Sequence, residues 1–109
     1  MPAAAAVLDA LGDPMRRSIL EEIRTAPLPV GVLADRLPIS RPAVSQHLRV
    51  LKNAELVTET VQGTRHLYGI DPTGFRAVST YLDRFWAETL GNFAALAEAE
   101  ARRSDSTQE

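Results

Sequence analysis

The amino-acid sequence predicts a mainly α fold of the α+β class, in which four helices precede a β-hairpin and a long fifth helix follows it. Three patterns support this prediction. Apolar residues recur with a helical period as far as residue 53, whereas residues 56–70 alternate with the period of two that is typical of strands. A helical period returns after residue 72 and continues almost to the end of the chain.

Length and composition limit what the chain can be. Its 109 residues are enough for one domain with a modest hydrophobic core. The sequence contains no cysteine, which excludes disulfides and thiolate metal sites. No apolar run is long enough to span a membrane, and the alanine-rich start lacks the basic segment of a signal peptide. We therefore expect a cytoplasmic location and no membrane partner.

Charge is distributed unevenly along the chain, although the formal total is only −2. Residues 36–66 hold five basic side chains against two acidic ones, a net charge of +3. The flanking segments are acidic, with −2 for residues 1–35 and −3 for residues 67–109. A basic segment within an acidic chain indicates a localised site for a polyanion such as nucleic acid.

Caps and apolar stripes predict the first two helices. A short helix over residues 3–11 ends at Gly12, and Asp13-Pro14 then supplies an N-cap and a proline in the first turn. The second helix runs to about Ala26 and is ended by Pro27-Leu28-Pro29. Its inward stripe consists of Met15, Ile19, Leu20 and Ile23.

Two further helices are separated by a turn of only a few residues. The third covers residues 30–37 and stops before Pro38, because a residue that precedes proline disfavours the α region. The fourth begins after Ser40, a good N-cap, has Pro42 in its first turn and extends to Asn53. Two short helices joined in this way form a helix-turn-helix unit.

The fourth helix has an apolar face and a polar, basic face. Val44, Leu48 and Leu51 form one apolar stripe, and Ala34 supplies a small residue where the third helix crosses Val44. The opposite face carries donors that suit phosphates or base edges: Arg41, Ser45, Gln46, Arg49 and Lys52. A short helix of this character fits the major groove of DNA.

A hairpin that directly follows a helix-turn-helix unit is a wing. Residues 56–62 form its first strand, Gly63-Thr64 is the tight turn, and residues 65–70 return as the second strand. Arg65 and His66 lie near the tip of the hairpin, where they are placed to meet the DNA backbone or the minor groove.

The last helix is too long and too apolar for a chain of this size to cover by itself. It starts at Asp71-Pro72, runs to about Arg103 and measures about 48 Å at 1.5 Å per residue. We therefore expect a homodimer that is built on the terminal helices. The expected interface residues are Val7, Leu8, Leu82, Phe85, Trp86, Leu90 and Phe93.

The predicted organisation is a single winged helix-turn-helix domain over residues 1–103, followed by a disordered tail over residues 104–109. Within the domain, the helix-turn-helix unit covers residues 30–53, the wing residues 56–70 and the dimerisation helix residues 72–103.

Several of these stretches resemble the ArsR-type (ArsR/SmtB-like) family of bacterial winged helix-turn-helix regulators. The resemblance covers about residues 7–100 and depends on residues 11–20, Ser40 to Leu51, Ala54-Glu55-Leu56-Val57, Gly63-Thr64-Arg65 with Tyr68, and Asp71-Pro72. It implies a homodimer that binds operator DNA, usually represses transcription and is released by an inducer. Two-fold symmetry predicts an inverted-repeat operator.

At matching positions, the resemblance implies that Ser45 and Gln46 contact base edges. It places Ser40 and Arg41 at the helix N-terminus beside phosphate, and Arg49 and Lys52 also face phosphate on the polar side of the helix. One departure concerns Glu55, because the family usually has glycine there. A left-handed conformation at this glutamate costs about 1–2 kcal/mol.

The sequence lacks the metal-sensing motifs of the family. The third helix has no cysteine and the last has no histidine, so the chain resembles the non-metal members and we expect no metal or cofactor. We interpret His47 as a packing residue and Trp86 as part of a dimer core rather than of an inducer pocket. The effector, a small molecule or a protein, is not identified by the sequence.

Three alternatives remain open at this point. One is a nickel- or zinc-responsive regulator with an atypical site, and another is a winged-helix module that binds proteins and has no DNA role. An enzyme is the least favoured class, because the sequence has no Ser-His-Asp array, no glycine-rich phosphate loop and no paired carboxylates in an evident cleft.

Overall fold

Five helices and three strands make up the described part of the chain. The structure is a computed structural model that describes residues 3–107, with side chains up to Ser104. The elements are α1 (Ala4–Leu11), α2 (Pro14–Ile23), β1 (Leu28–Pro29), α3 (Val30–Arg36), α4 (Arg41–Asn53), β2 (Val57–Gln62), β3 (Arg65–Ile70) and α5 (Pro72–Thr107). This order confirms the predicted mainly α fold with a hairpin between the fourth and fifth helices.

The helix starts follow the predicted caps. Asp13 accepts two backbone N–H groups of α2 at 2.8 and 3.1 Å, and Ser40 accepts one of α4 at 3.3 Å. Asp71 accepts one of α5 at 2.9 Å. These bonds satisfy donors that have no partner within their own helix, and at Asp13 they lower the pKa of the carboxyl group.

The segment between α2 and α3 differs from the prediction. The second helix ends at Ile23, before the predicted end near Ala26, and the proline-containing stretch that was expected only to break the helix contains β1. This strand pairs with Leu67 and Tyr68 of β3 in an antiparallel sheet of order β1-β3-β2. Proline has no N–H to donate to a neighbouring strand, so this short segment gives no strand signal in the sequence. Pro29 is tolerated because β1 lies at the edge of the sheet.

The wing forms as predicted. Strands β2 and β3 pair from Val57 opposite Ile70 to Gln62 opposite Arg65, which leaves a two-residue turn. Gly63 in this turn has φ of 62°, a conformation that glycine adopts without strain. The register fixes which residues of the two strands lie side by side.

The hydrophobic core is formed by side chains of α1, α2, α3, α4 and the start of β2. Val7, which the sequence places in a dimer interface, is 0% exposed in this core, so that assignment is corrected: an enclosed side chain has no surface left for a partner. The predicted contact residue Val44 is also 0% exposed, and Ala34 packs against the same cluster. The core consists of Val7, Ala10, Ile19, Leu20, Ile23, Leu33, Val44, Leu48, Leu51, Ala54, Leu56 and Val57.

Helix α4 ends in a geometry that favours glycine, and Glu55 occupies it with φ of 56°. The Glu55 N–H donates to the Lys52 carbonyl at 3.0 Å, and the Leu56 N–H donates to the Leu51 carbonyl at 2.9 Å. This pair of bonds is typical of a helix in which the residue after the C-cap, here Glu55 after Ala54, is left-handed. The left-handed conformation anticipated at Glu55 is therefore present.

The same loop fixes the start of α5. The Gly74 N–H donates to the Glu55 carbonyl at 2.7 Å, and a Cβ at Gly74 would lie 2.6 Å from the Ala54 carbonyl oxygen. The Asp71 N–H donates to the Leu56 carbonyl at 3.0 Å. Only glycine permits this approach at position 74, because any side chain would meet backbone atoms that cannot move aside.

Internal contacts divide the chain into two units, where the sequence indicates a single domain over residues 1–103. The first unit ends at Val78, and the second begins at Ser79 and consists of the remainder of α5. The helix continues to Thr107, so the expected tail is wrong for residues 104–107, and residues 108–109 lie outside the described part. Among residues 3–107, no helix combines the length and the apolar character needed to cross a membrane.

We predict that Glu55→Gly raises the free energy of unfolding by about 1 kcal/mol, because it removes left-handed strain from a side-chain-bearing residue. Urea denaturation measures the change. The control is Asn53→Gly, two residues earlier at the last helical position of α4, where glycine lowers stability. Equal effects of the two substitutions would contradict the strain at Glu55.

Candidate nucleic-acid interface

Helix α4 exposes its polar face because its apolar stripe is held in the core. Val44, Leu48 and Leu51 are at most 2% exposed, which fixes the rotation of the helix about its axis. The predicted DNA-facing side chains Arg41, Ser45, Gln46, Arg49 and Lys52 are all exposed, and so is the cap Ser40. His47 is half-buried, in agreement with its predicted packing role.

The turn between α3 and α4 contains no left-handed residue. Leu37 is extended, with φ of −117° and ψ of 150°, and Ser40 is extended as well. Within residues 3–107, positive φ values occur at Glu55 and Gly63. This turn therefore has no left-handed position that would favour glycine, and Pro38 occupies it.

Arg41 lies across the first turn of α3. A Cβ on Gly31 would overlap the Arg41 guanidinium, so the space of a side chain at position 31 is filled by this cation. The glycine thereby allows Arg41 to stay close to α3 at the start of α4.

Glu59 of the wing joins two predicted DNA contacts that belong to different elements. Its Oε2 accepts a hydrogen bond from Lys52 Nζ at 2.8 Å, and its Oε1 lies 2.7 Å from His66 Nδ1. The Glu59 side chain is only 23% exposed, against 53% for Lys52 and 55% for His66. No local sequence pattern predicts this cluster, although the spacing of Val57, Glu59 and Val61 places all three on the same side of β2.

These contacts change the pKa values of Glu59, Lys52 and the neighbouring Tyr68. The hydrogen bond from Lys52, followed by the one with His66, lowers the pKa of Glu59 from 4.5 to about 2. The same hydrogen bond raises the pKa of Lys52. Burial, followed by the charge of Glu59, raises the pKa of Tyr68, which lies opposite Glu59 in the sheet. Glu59 is therefore ionised at ordinary pH and compensates one cation of the basic face.

Two clefts lie on either side of Glu59, and both are lined by this residue and by Tyr68. The larger cleft, of about 720 Å³, lies between the start of α3 and the wing and brings together Arg41, Arg65 and His66. The smaller cleft, of about 250 Å³, lies between α4 and the wing and is also lined by Ser45, Leu48, Arg49 and Lys52. The fold thus gathers most of the sequence-predicted DNA contacts on one side of the first unit. Ser40 and Gln46 line neither cleft.

Acidic and histidine side chains do not gather into a metal site among the described residues. No group of three or more such side chains in that part of the chain could hold a metal ion. On α5, Asp83, Glu88 and Glu98 are exposed, and Glu100 accepts a hydrogen bond from Arg103 at 2.8 Å.

The second unit presents an apolar helix face. Leu82 and Phe85 are 43% and 50% exposed, and Trp86, Leu90 and Phe93 are 55%, 61% and 70% exposed. Their spacing places them on one side of the helix. The rings of Phe85 and Trp86 meet edge to face, with their centroids 5.7 Å apart. Leu8 of α1, the remaining expected interface residue, is 42% exposed.

Comparison with known proteins agrees with this architecture. The sequence model of a family described as a helix-turn-helix domain matches residues 2–60. The HTH-type transcriptional regulator Rv2034 of Mycobacterium tuberculosis is 54% identical over 91 residues, which cover 84% of this chain and 85% of that protein.

Solved structures are similar as well. The ArsR-like transcriptional regulator from Rhodococcus sp. RHA1 has a TM-score of 0.81 at 33% identity, over 86% of each chain. The homodimeric winged helix-turn-helix DNA-binding domain Mb0332 from Mycobacterium bovis has a TM-score of 0.62 at 27% identity, over 77% of each chain.

The winged helix-turn-helix fold and its exposed basic helix define a DNA-binding transcription regulator, which is a non-enzymatic class of protein. The chain belongs to the ArsR/SmtB-type family of these regulators. The family resemblance seen in the sequence is therefore confirmed.

We predict that Glu59→Gln weakens the acid dependence of stability. Because the pKa of Glu59 is lowered from 4.5 to about 2, its ionised form stabilises the fold above pH 4.5, and this contribution is lost as the pH falls towards 2. The glutamine variant loses less stability over that interval, as measured by thermal denaturation at a series of pH values. Lys52→Gln, which removes the main partner, reduces the dependence in the same direction. A curve identical to that of the original protein in both variants would contradict the effect.

Proposed function

We propose that the protein acts as a homodimeric, sequence-specific repressor that binds an inverted-repeat operator and is released by an inducer still to be identified. The observation that carries this proposal is the exposed polar face of α4, with Arg65 and His66 of the wing gathered beside it. A helix of this size fits the major groove, while a wing beside it meets the DNA backbone. Repression is the usual output of the family that the sequence resembles.

We assign different roles to the exposed side chains of this face. Gln46 and Ser45 read base edges, and a glutamine that bonds adenine through two atoms contributes about 1–3 kcal/mol of discrimination. Arg41, Arg49 and Arg65 bind phosphates, as does the helix start at Ser40, and they supply affinity without sequence preference. The exposure of Gln46 outside both clefts supports its separate role.

The apolar face of α5 supports dimerisation. Exposed contiguous apolar side chains of this size mark interaction surfaces in water. The homodimeric state of the Mycobacterium bovis domain, which is similar over 77% of each chain, supports a second copy as the occupant. A two-fold axis then presents two α4 helices to half-sites about 34 Å apart, one turn of DNA.

We predict that Gln46→Ala and Arg49→Ala weaken DNA binding in different ways. The first lowers the preference for operator over scrambled DNA by about tenfold, within the range for one lost base contact. The second weakens binding to all sequences and lowers the salt slope of the affinity by about one. Fluorescence anisotropy with both duplexes over a salt series separates the two effects. Equal losses on both duplexes for both variants would refute this division of roles.

We predict that a Trp86→Ala, Phe93→Glu double variant is monomeric, since a charge and a cavity replace the centre of the α5 face. Analytical ultracentrifugation measures the mass, and circular dichroism verifies that the helix content is kept. The control is Val61→Ser, which removes a 59% exposed apolar side chain from the wing and leaves the mass of a dimer. A dimeric double variant would refute an interface on this face.

A further inference from the structure

We propose that Glu59 is a positioning residue that ties Lys52 to the wing and withholds its ammonium group from the DNA backbone. Nonspecific affinity is thereby limited and the share of base contacts in the total affinity increases. The proposal rests on the proposed function, because it concerns the same DNA-binding face.

The geometry joins three elements through one carboxylate. Oxygen Oε2 of Glu59 on β2 accepts from Lys52 on α4 at 2.8 Å, and Oε1 contacts His66 on β3 at 2.7 Å. Each oxygen therefore has its own cationic or polar partner. Glu59 stays ionised at neutral pH. Lys52 therefore cannot turn towards a phosphate without breaking its hydrogen bond to a charged carboxylate.

This ion pair differs from two exposed pairs that each lie within one helical turn. Arg36–Glu22 also joins separate elements, but Glu22 is 34% exposed and the pair is 3.3 Å long. Arg24–Glu21 and Arg103–Glu100 each join residues one turn apart in a single helix, with all four side chains 69–72% exposed. Such pairs contribute little, since water and salt screen them. Glu59 is 23% exposed and links separate elements, so its partner is held more firmly.

The location turns this local contact into an effect on DNA binding. Glu59 lines both the cleft that contains Arg41 and Arg65 and the cleft that contains Ser45 and Arg49. A fixed negative charge at that place opposes a phosphate directly and removes one lysine from the set that releases counterions. Each phosphate contact adds about 0.9 to the slope of log affinity against log salt concentration. We therefore expect the slope of the original protein to correspond to one contact fewer than the number of exposed cations on the DNA-binding face.

The test compares Glu59→Gln with a matched control, Glu21→Gln. The first substitution keeps the shape and removes the charge that holds Lys52; the second removes an equal charge from α2, next to a cleft that shares no residue with the two DNA-facing clefts. Binding to scrambled duplex DNA and to DNA of the protein's own promoter is measured by anisotropy over a salt series, and thermal denaturation verifies that each variant is folded.

We expect Glu59→Gln to steepen the salt slope by about one and to raise the affinity for scrambled DNA about fivefold at 0.15 M salt, with a similar gain on the promoter, because a phosphate contact carries no sequence preference. Addition of Lys52→Gln to this variant returns the slope to that of the original protein, which assigns the gain to Lys52. A merely structural role of Glu59 would not steepen the slope.

Two failures are distinguishable. If the original protein prefers its promoter and Glu59→Gln has the same salt slope as Glu21→Gln, the role of Glu59 is refuted and the proposed function stands. If the original protein binds neither duplex at low salt, where electrostatic affinity is greatest, the proposed function itself fails.

Discussion

The packing of one apolar stripe of α4 into the core is the contact on which the rest of the structure depends. Val44, Leu48 and Leu51 are enclosed almost completely, and truncation of such a side chain costs about 2–5 kcal/mol, a large part of the stability of a small domain. The same contact fixes the rotation of the helix. Because the stripe faces inward, the hydroxyl, amide and guanidinium groups of α4 face outward. One helical period therefore determines both the packing of the core and the exposure of the polar face.

The loop after α4 fixes the positions of the wing and of the start of α5 relative to α4. Glu55 adopts a left-handed conformation there, and its carbonyl oxygen accepts a hydrogen bond from the Gly74 N–H. The chain then enters the wing after Leu56. Glu59 of the wing binds Lys52, so that the end of α4 is joined to the hairpin by a backbone link and by a side-chain link. A chain with a net charge of −2 can therefore present a compact basic face whose charge is adjusted by one carboxylate.

Local patterns predict most of the fold, and pairing between distant segments explains what they miss. Caps at Asp13, Ser40 and Asp71 and the turn at Gly63 are coded within a few residues and lie where the sequence indicates. Strand β1 depends on a partner about forty residues away in β3, and its proline, Pro29, gives no strand signal. The Glu59 cluster likewise requires the β2–β3 register. The extension of α5 past Arg103 has another cause, since residues 104–107 are polar but contain no glycine or proline to stop a helix.

The central claim is that two copies of the α4 face bind DNA with two-fold symmetry. Hydroxyl-radical footprinting of the protein on its own promoter tests this claim most directly, because it locates the contacts on both strands at single-nucleotide resolution. We expect two protected segments that are related by an inverted repeat, with their centres about 34 Å apart along the duplex. A single asymmetric footprint, or uniform weak protection of all sequences, would contradict it.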